Sequence, residues 1–143
     1  MTRFAQAHIA SPRSLPLEAK RALRIMLIAK HAKGTGAPHP EDGTHAVYHR
    51  EMRQTLEDIG VNLTVADDYR VLFEQPDVDF LFPLLNRAGF LNSEMLAPLL
   101  CNRLSLPYLG ASPILRGLSD DKHLTKRAAV AVSYTHLTLP TKA

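Results

Sequence analysis

Short continuous apolar runs alternate with helix-spaced apolar stripes along this chain, and together they predict most of its elements. Residues 24–29 (Arg-Ile-Met-Leu-Ile-Ala) form a run of the kind found in strands buried on both faces, as in a parallel sheet. Val47, Met52, Leu56 and Ile59 recur at roughly helical spacing, with Thr44 placed to start a helix and Gly60 to stop it. Residues 61–65 alternate apolar and polar, which predicts a second strand, and residues 69–74 a short helix. Residues 79–85 are apolar enough for a central third strand, with Pro83 near its end because proline cannot donate to a ladder. A helix capped by Asn92 or Ser93 runs to about Leu104, and residues 106–109 make a short fourth strand ending at Gly110. Ser112 and Pro113 open a further short helix, and Ser119 caps a last one over residues 120–131. Upstream, residues 1–22 lack periodicity and read as an extension with a short helix over residues 17–22.

The resulting order, β-α-β-α-β-α-β-α, predicts an α/β fold: a parallel sheet of about four strands with helices on both faces. Ligands of such sheets bind at the carboxyl ends of the strands. The loops at residues 30–43, 86–90 and 110–112 therefore share one edge and form the candidate site. The first of these, with three glycines and two prolines, has the length typical of functional loops.

Composition changes this picture little. The 143 residues are 45% hydrophobic and 22% charged, enough for one domain with a real core. The net charge of +3 comes from scattered basic residues (Arg21, Lys33, Arg53, Arg70, Arg103, Lys126), which argues against a dedicated nucleic-acid surface. No apolar run approaches the ~18 residues needed to span a bilayer, and the amino terminus has no secretory apolar region, so no membrane association is expected. The lone cysteine, Cys101, sits mid-helix beside Leu99 and Leu100 and reads as core packing; it fits a reducing, cytoplasmic setting.

Three blocks carry a resemblance: Phe82-Pro-Leu-Leu-Asn-Arg-Ala-Gly89, Leu106-Pro-Tyr-Leu-Gly-Ala-Ser112 and Asp120-Asp-Lys-His-Leu-Thr-Lys126. Joined in this order, they resemble the N-terminal domain of D-alanine–D-alanine ligases, members of the ATP-grasp superfamily. That family shows an apolar strand ending in Pro-x-x-His-Gly, an acidic loop, a helix, Ile-Pro-Tyr-x-Gly and an Asp-Lys-x-x-x-Lys signature. The resemblance covers roughly residues 24–131 and implies a Rossmann-like, pre-ATP-grasp domain over residues 23–131.

It also implies an ATP-dependent ligase of peptidoglycan precursor synthesis, which joins two D-alanines into a dipeptide with release of ADP and phosphate. ATP and Mg2+ would be held mainly by domains beyond this one, the partner would be a small amino-acid substrate, and the full-length enzyme allows a homodimer. Lys122 corresponds to the family lysine that approaches the ATP phosphates, a role suited to a flexible point charge; a solvated lysine in a first helical turn is the bland reading. A loop glutamate of the family holds the amino group of the first D-alanine. Glu41 or Asp42 would fill that role here, although a helix-to-helix alignment places Gly43 there. Asn86-Arg87 replaces the family's His-Gly, and both are candidates for the substrate cleft. Ser93 and Glu94, in the equivalent of the acidic loop, either touch substrate or simply begin a helix. No catalytic residue is expected within this chain, which alone should be inactive.

His45 and His49, four apart, have the spacing for a metal on one helical face, but no acid or cysteine completes a set in sequence, and they read as a solvated pair without a metal. Two other functions stay open: a ligase of the same superfamily for a different acid and amine, or a non-catalytic Rossmann-like binding module. The chain lacks the acidic residues of a receiver domain and the Gly-x-Gly-x-x-Gly of a dinucleotide site. Residues 132–143 (Val-Ser-Tyr-Thr-His-Leu-Thr-Leu-Pro-Thr-Lys-Ala) resemble translated sequencing-adapter DNA and are read as a non-native tail.

Overall fold

Strand β1 (Arg24–Ile28) is the spine of the molecule, and its alternating side chains build two cores. Met26 and Ile28 point into one, with Leu81, Leu100, Cys101 and Leu106; Leu27 and Ala29 point into the other, with Ala32 and Leu56. A strand buried on both faces needs apolar residues at every position, which explains the unbroken run. The computed structural model describes residues 14–85 and 93–136. Among these residues no helix is long and apolar enough to cross a membrane.

The described residues are mixed α/β, with a three-stranded parallel sheet in the order β2-β1-β3 and helices against it. β2 (Asn62–Ala66) pairs with β1 from Arg24↔Asn62 to Ile28↔Ala66, and β3 (Phe80–Pro83) pairs with β1 from Ile25↔Phe80 to Ile28↔Pro83. The expected fourth strand shrinks to one parallel bridge, Leu81↔Tyr108. The Leu81 N–H donates to the Pro107 carbonyl at 2.9 Å, and the Leu109 N–H to the Leu81 carbonyl at 3.0 Å. The next rungs of a parallel ladder would need N–H donors at positions 107 and 83, and both are proline. Residues 106–109 thus lie where a fourth strand belongs without extending into one. β1, rather than β3, is the central strand.

Helix α1 (Leu17–Ala22) leads into β1. Helix α2 (His45–Ile59) follows the long loop and ends at Gly60, whose φ of 88° lets its N–H turn back to the Glu57 carbonyl. Thr44 precedes α2 but forms no side-chain cap. The buried face of α2 is Ala46, His49 and Leu56, rotated from the expected stripe: Ile59 is exposed, and His49 takes a place in the interior. The short helix expected after β2 is a 3-10 turn (Tyr69–Leu72), with the Asp68 carboxylate accepting from the Arg70 N–H.

The helix expected from residue 92 or 93 begins instead as a 3-10 turn (Ser93–Met95) and continues as α3 (Leu96–Arg103). Pro98 falls in the first turn of α3, where a missing N–H is harmless. Ser112 caps α4 (Pro113–Asp120) through its hydroxyl, which accepts from the Leu115 N–H. The cap of α5 (Lys122–His136) is Asp121 rather than Ser119: its Oδ1 accepts from the N–H groups of His123 at 2.8 Å and Leu124 at 3.0 Å. A carboxylate satisfies two orphan amides there, whereas the Ser119 hydroxyl donates to the Arg116 carbonyl inside α4. The backbone of residues 132–136, assigned to the tail from sequence, continues α5 as helix.

Candidate functional site

At the carboxyl ends of β1 and β3 lies an open cavity of about 510 Å³. Lys30, His31 and Asp42 come from the loop after β1, His45 and His49 from the first turns of α2, Leu84 and Leu85 from the exit of β3, and Glu94 from the turn before α3. Parallel strands place their connecting loops on one edge, so chain segments distant in sequence converge here.

The loop after β1 is folded by local bonds. The Ala32 N–H donates to the Ala29 carbonyl and the Gly34 N–H to the His31 carbonyl. Farther on, the His39 and Gly43 main chains exchange two hydrogen bonds, at 3.0 and 2.8 Å, which closes a tight turn around Asp42. Gly43 takes a φ of 55° that most side chains disfavour.

Asp42 is the electrostatic centre of the cavity. Its Oδ2 lies 2.5 Å from Lys30 Nζ, 2.7 Å from His31 Nε2 and 3.7 Å from His39 Nδ1. The Lys30 ammonium, and after it His31, hold the Asp42 carboxyl down at about 2. His49 Nδ1 accepts from the His31 N–H at 3.3 Å. Burial, and then the charges of His31 and His45, push His49 below the ordinary imidazole value. The His31 ring packs against both His39 and His49, with centroids 4.6 and 5.9 Å away.

Glu94 also lines a narrow cleft beside the cavity, where Arg116 of α4 approaches it at 3.8 Å and Tyr108 and Gly110 form the wall. The Tyr69 hydroxyl donates to the Leu85 carbonyl and braces the exit of β3; burial pushes that phenol up to about 12.

Of the residues singled out from sequence, Asp42 and Glu94 face the cavity together. Glu41 is exposed beside it, with its N–H donating to His39 Nδ1, and Ser93 is buried at the start of its turn. Asn86 and Arg87 lie outside the described residues. Lys122 is exposed at the first position of α5 and lines a separate open groove with Met95, Ile114 and Gly117, which shares no residue with the strand-end cavity. The solvated pair expected at His45 and His49 is not what forms, because His49 is buried. Instead His31 and His39 meet Asp42. The signal in the sequence was the crowding of four histidines into positions 31–49 just after a buried strand, read there as helical spacing rather than as loop closure.

No protein-family model and no curated protein matches this chain.

Proposed function

We propose that this chain is the Rossmann-like, pre-ATP-grasp domain of an ATP-dependent carboxylate–amine ligase of the D-alanine–D-alanine ligase type. The observation that carries the reading is the pair of carboxylates, Asp42 and Glu94, on one cavity at the carboxyl ends of parallel strands. An amino-acid substrate brings an ammonium group, and two carboxylates from separate loops suit it. Asp42 already receives an alkylammonium, that of Lys30. The motifs at residues 82–89, 106–112 and 120–126 add the family resemblance.

In this reading one substrate carboxylate takes the γ-phosphoryl group of ATP and ADP leaves. The amine of the second amino acid attacks the acyl carbon, a C–N bond forms and inorganic phosphate departs. This chain supplies the wall that orients the amino acid, while the family resemblance gives Lys122, which lines a separate groove, the phosphate charge to neutralise. Mg2+ would spread the charge of the transferring phosphoryl group, held by carboxylates outside this domain. The domain alone is then inactive.

A second reading, a ligase for a different acid and amine, is favoured by the Lys30 ammonium on the same cavity. With the His45 and His49 imidazoles beside it, this wall suits a substrate with an additional carboxylate. The test is ADP release by the full-length gene product with D-alanine and with a panel of other amino acids, acidic ones included. D-alanine-dependent ADP supports the first reading. ADP with another amino acid only supports the second, and ADP release indifferent to every amino acid overturns both.

A further inference from the structure

We infer that His31, His39 and Asp42 form a binding site for a divalent late-transition metal, Zn2+ by its donor set, at the rim of the strand-end cavity. Two imidazoles and one carboxylate, with further positions open to solvent, match the ligand sets of zinc sites that keep an exchangeable position. Ligand atoms held ~2.0–2.2 Å from a tetrahedral ion stand about 3.3 Å apart. The two measured separations bracket this: His31 Nε2 lies 2.7 Å and His39 Nδ1 3.7 Å from Asp42 Oδ2, and all three donor atoms fall within 4.8 Å of one another. An ion between them would draw these side chains together and free His39 Nδ1 from the Glu41 N–H.

The surroundings prepare the donors. His39 and Asp42 belong to the turn locked by the His39–Gly43 bonds, so their relative position is fixed by main chain. His39 Nδ1 accepts from the Glu41 N–H at 3.2 Å, and a metal would have to displace that amide. The His31 ring is confined by contact with the His39 and His49 rings. Three contacts must give way to the ion: the Glu41 N–H on His39 Nδ1, the hydrogen bond between His31 Nε2 and Asp42, and the Lys30 ammonium on the same carboxylate oxygen, 2.5 Å away. Lys30 is half exposed and can swing into solvent, which makes it a competitor for Asp42 rather than a barrier. Metal and a substrate amino group would compete for Asp42. The site stands independently of the proposed ligase activity, since metal binding is read without nucleotide or amino acid.

The experiment is a Co2+ titration of the untagged, EDTA-treated chain, followed by visible d–d absorption, with Zn2+ then added to displace it. One Co2+ per chain is expected, with bands of a site containing nitrogen ligands that Zn2+ abolishes. His39→Ala and Asp42→Asn should each weaken binding at least about tenfold. Lys30→Met should tighten it by removing the competing charge. His45→Ala and His123→Ala should leave it unchanged. Circular dichroism of each variant separates lost binding from lost folding, and His39→Gln serves if His39→Ala fails to fold. Absence of a saturable Co2+ signal would overturn the site, as would loss of binding in His45→Ala with retention in His39→Ala.

Discussion

Arg24 and Asp79 clamp the amino-terminal ends of β1 and β3 together. The Arg24 main-chain N–H and Nε both donate to Asp79 Oδ2, at 2.9 and 3.1 Å, a terminal guanidinium nitrogen donates to Oδ1 at 2.6 Å, and the Asp79 N–H returns to the Arg24 carbonyl at 2.8 Å. Asp77 pairs with the other arm of the same guanidinium. The clamp lies at the end of the sheet opposite the cavity, so stability and site can be perturbed separately.

Acid should loosen this clamp. The Arg24 side chain, and then its main-chain N–H, hold the Asp79 carboxyl at about 2, below its ordinary value of 3.8. A carboxyl whose value is lowered by folding stabilises the folded chain above its unfolded value and loses that effect as pH falls. The contribution is therefore whole at neutral pH and fades as pH drops from about 4 towards 2. Urea midpoints across this range should fall faster for the wild type than for Asp79→Asn, and the two should converge near the acid end.

Leu81 should be among the most sensitive core positions. Its side chain is fully buried, and its main chain bonds both Pro107 and Leu109. Leu81→Ala should cost about 2–5 kcal/mol in urea denaturation. Ile114→Ala, at a side chain 81% exposed, should change stability by less than about 0.5 kcal/mol.

Gly60 should resist substitution. Its φ of 88° is left-handed, and a Cβ there would stand 3.0 Å from Leu17 Cδ1. Gly60→Ala should destabilise the chain by about 1–2 kcal/mol, measured by the same denaturation.

The Cys101 thiol should be inert in the native chain. It is fully buried, and burial pushes it up to about 11, which leaves little thiolate at neutral pH. A disulfide-exchange reagent should react slowly with the folded protein and rapidly in urea.

Local patterns were the legible part of this molecule. The apolar run at residues 24–29, the short helix at 17–22, the stop at Gly60 and Pro83 near the end of a strand all depend on near neighbours; the structure has the helix and the stop in place, with strands over Arg24–Ile28 and Phe80–Pro83. The fourth strand failed because two prolines on facing segments, Pro83 and Pro107, remove donors from the same ladder, a fact that emerges only once the register is known. His49 turned inward because α2 buries the face that carries Ala46, His49 and Leu56, with Leu56 in the core beside Leu27, an orientation not set by counting its largest apolar side chains. Asp42 came to His31 and Lys30 through closure of the loop at His39 and Gly43, which no helical or strand period encodes.

Glu94 offers the most direct test of the strand-end cavity as the place where an amino acid binds. In the full-length gene product, Glu94→Gln keeps the shape of the side chain and removes its charge. Steady-state ADP release should then show the KM for the amino-acid substrate raised about tenfold or more, from loss of a charged hydrogen bond, with the KM for ATP unchanged. An unchanged KM for the amino acid, or a rise confined to ATP, would contradict the assignment of this cavity.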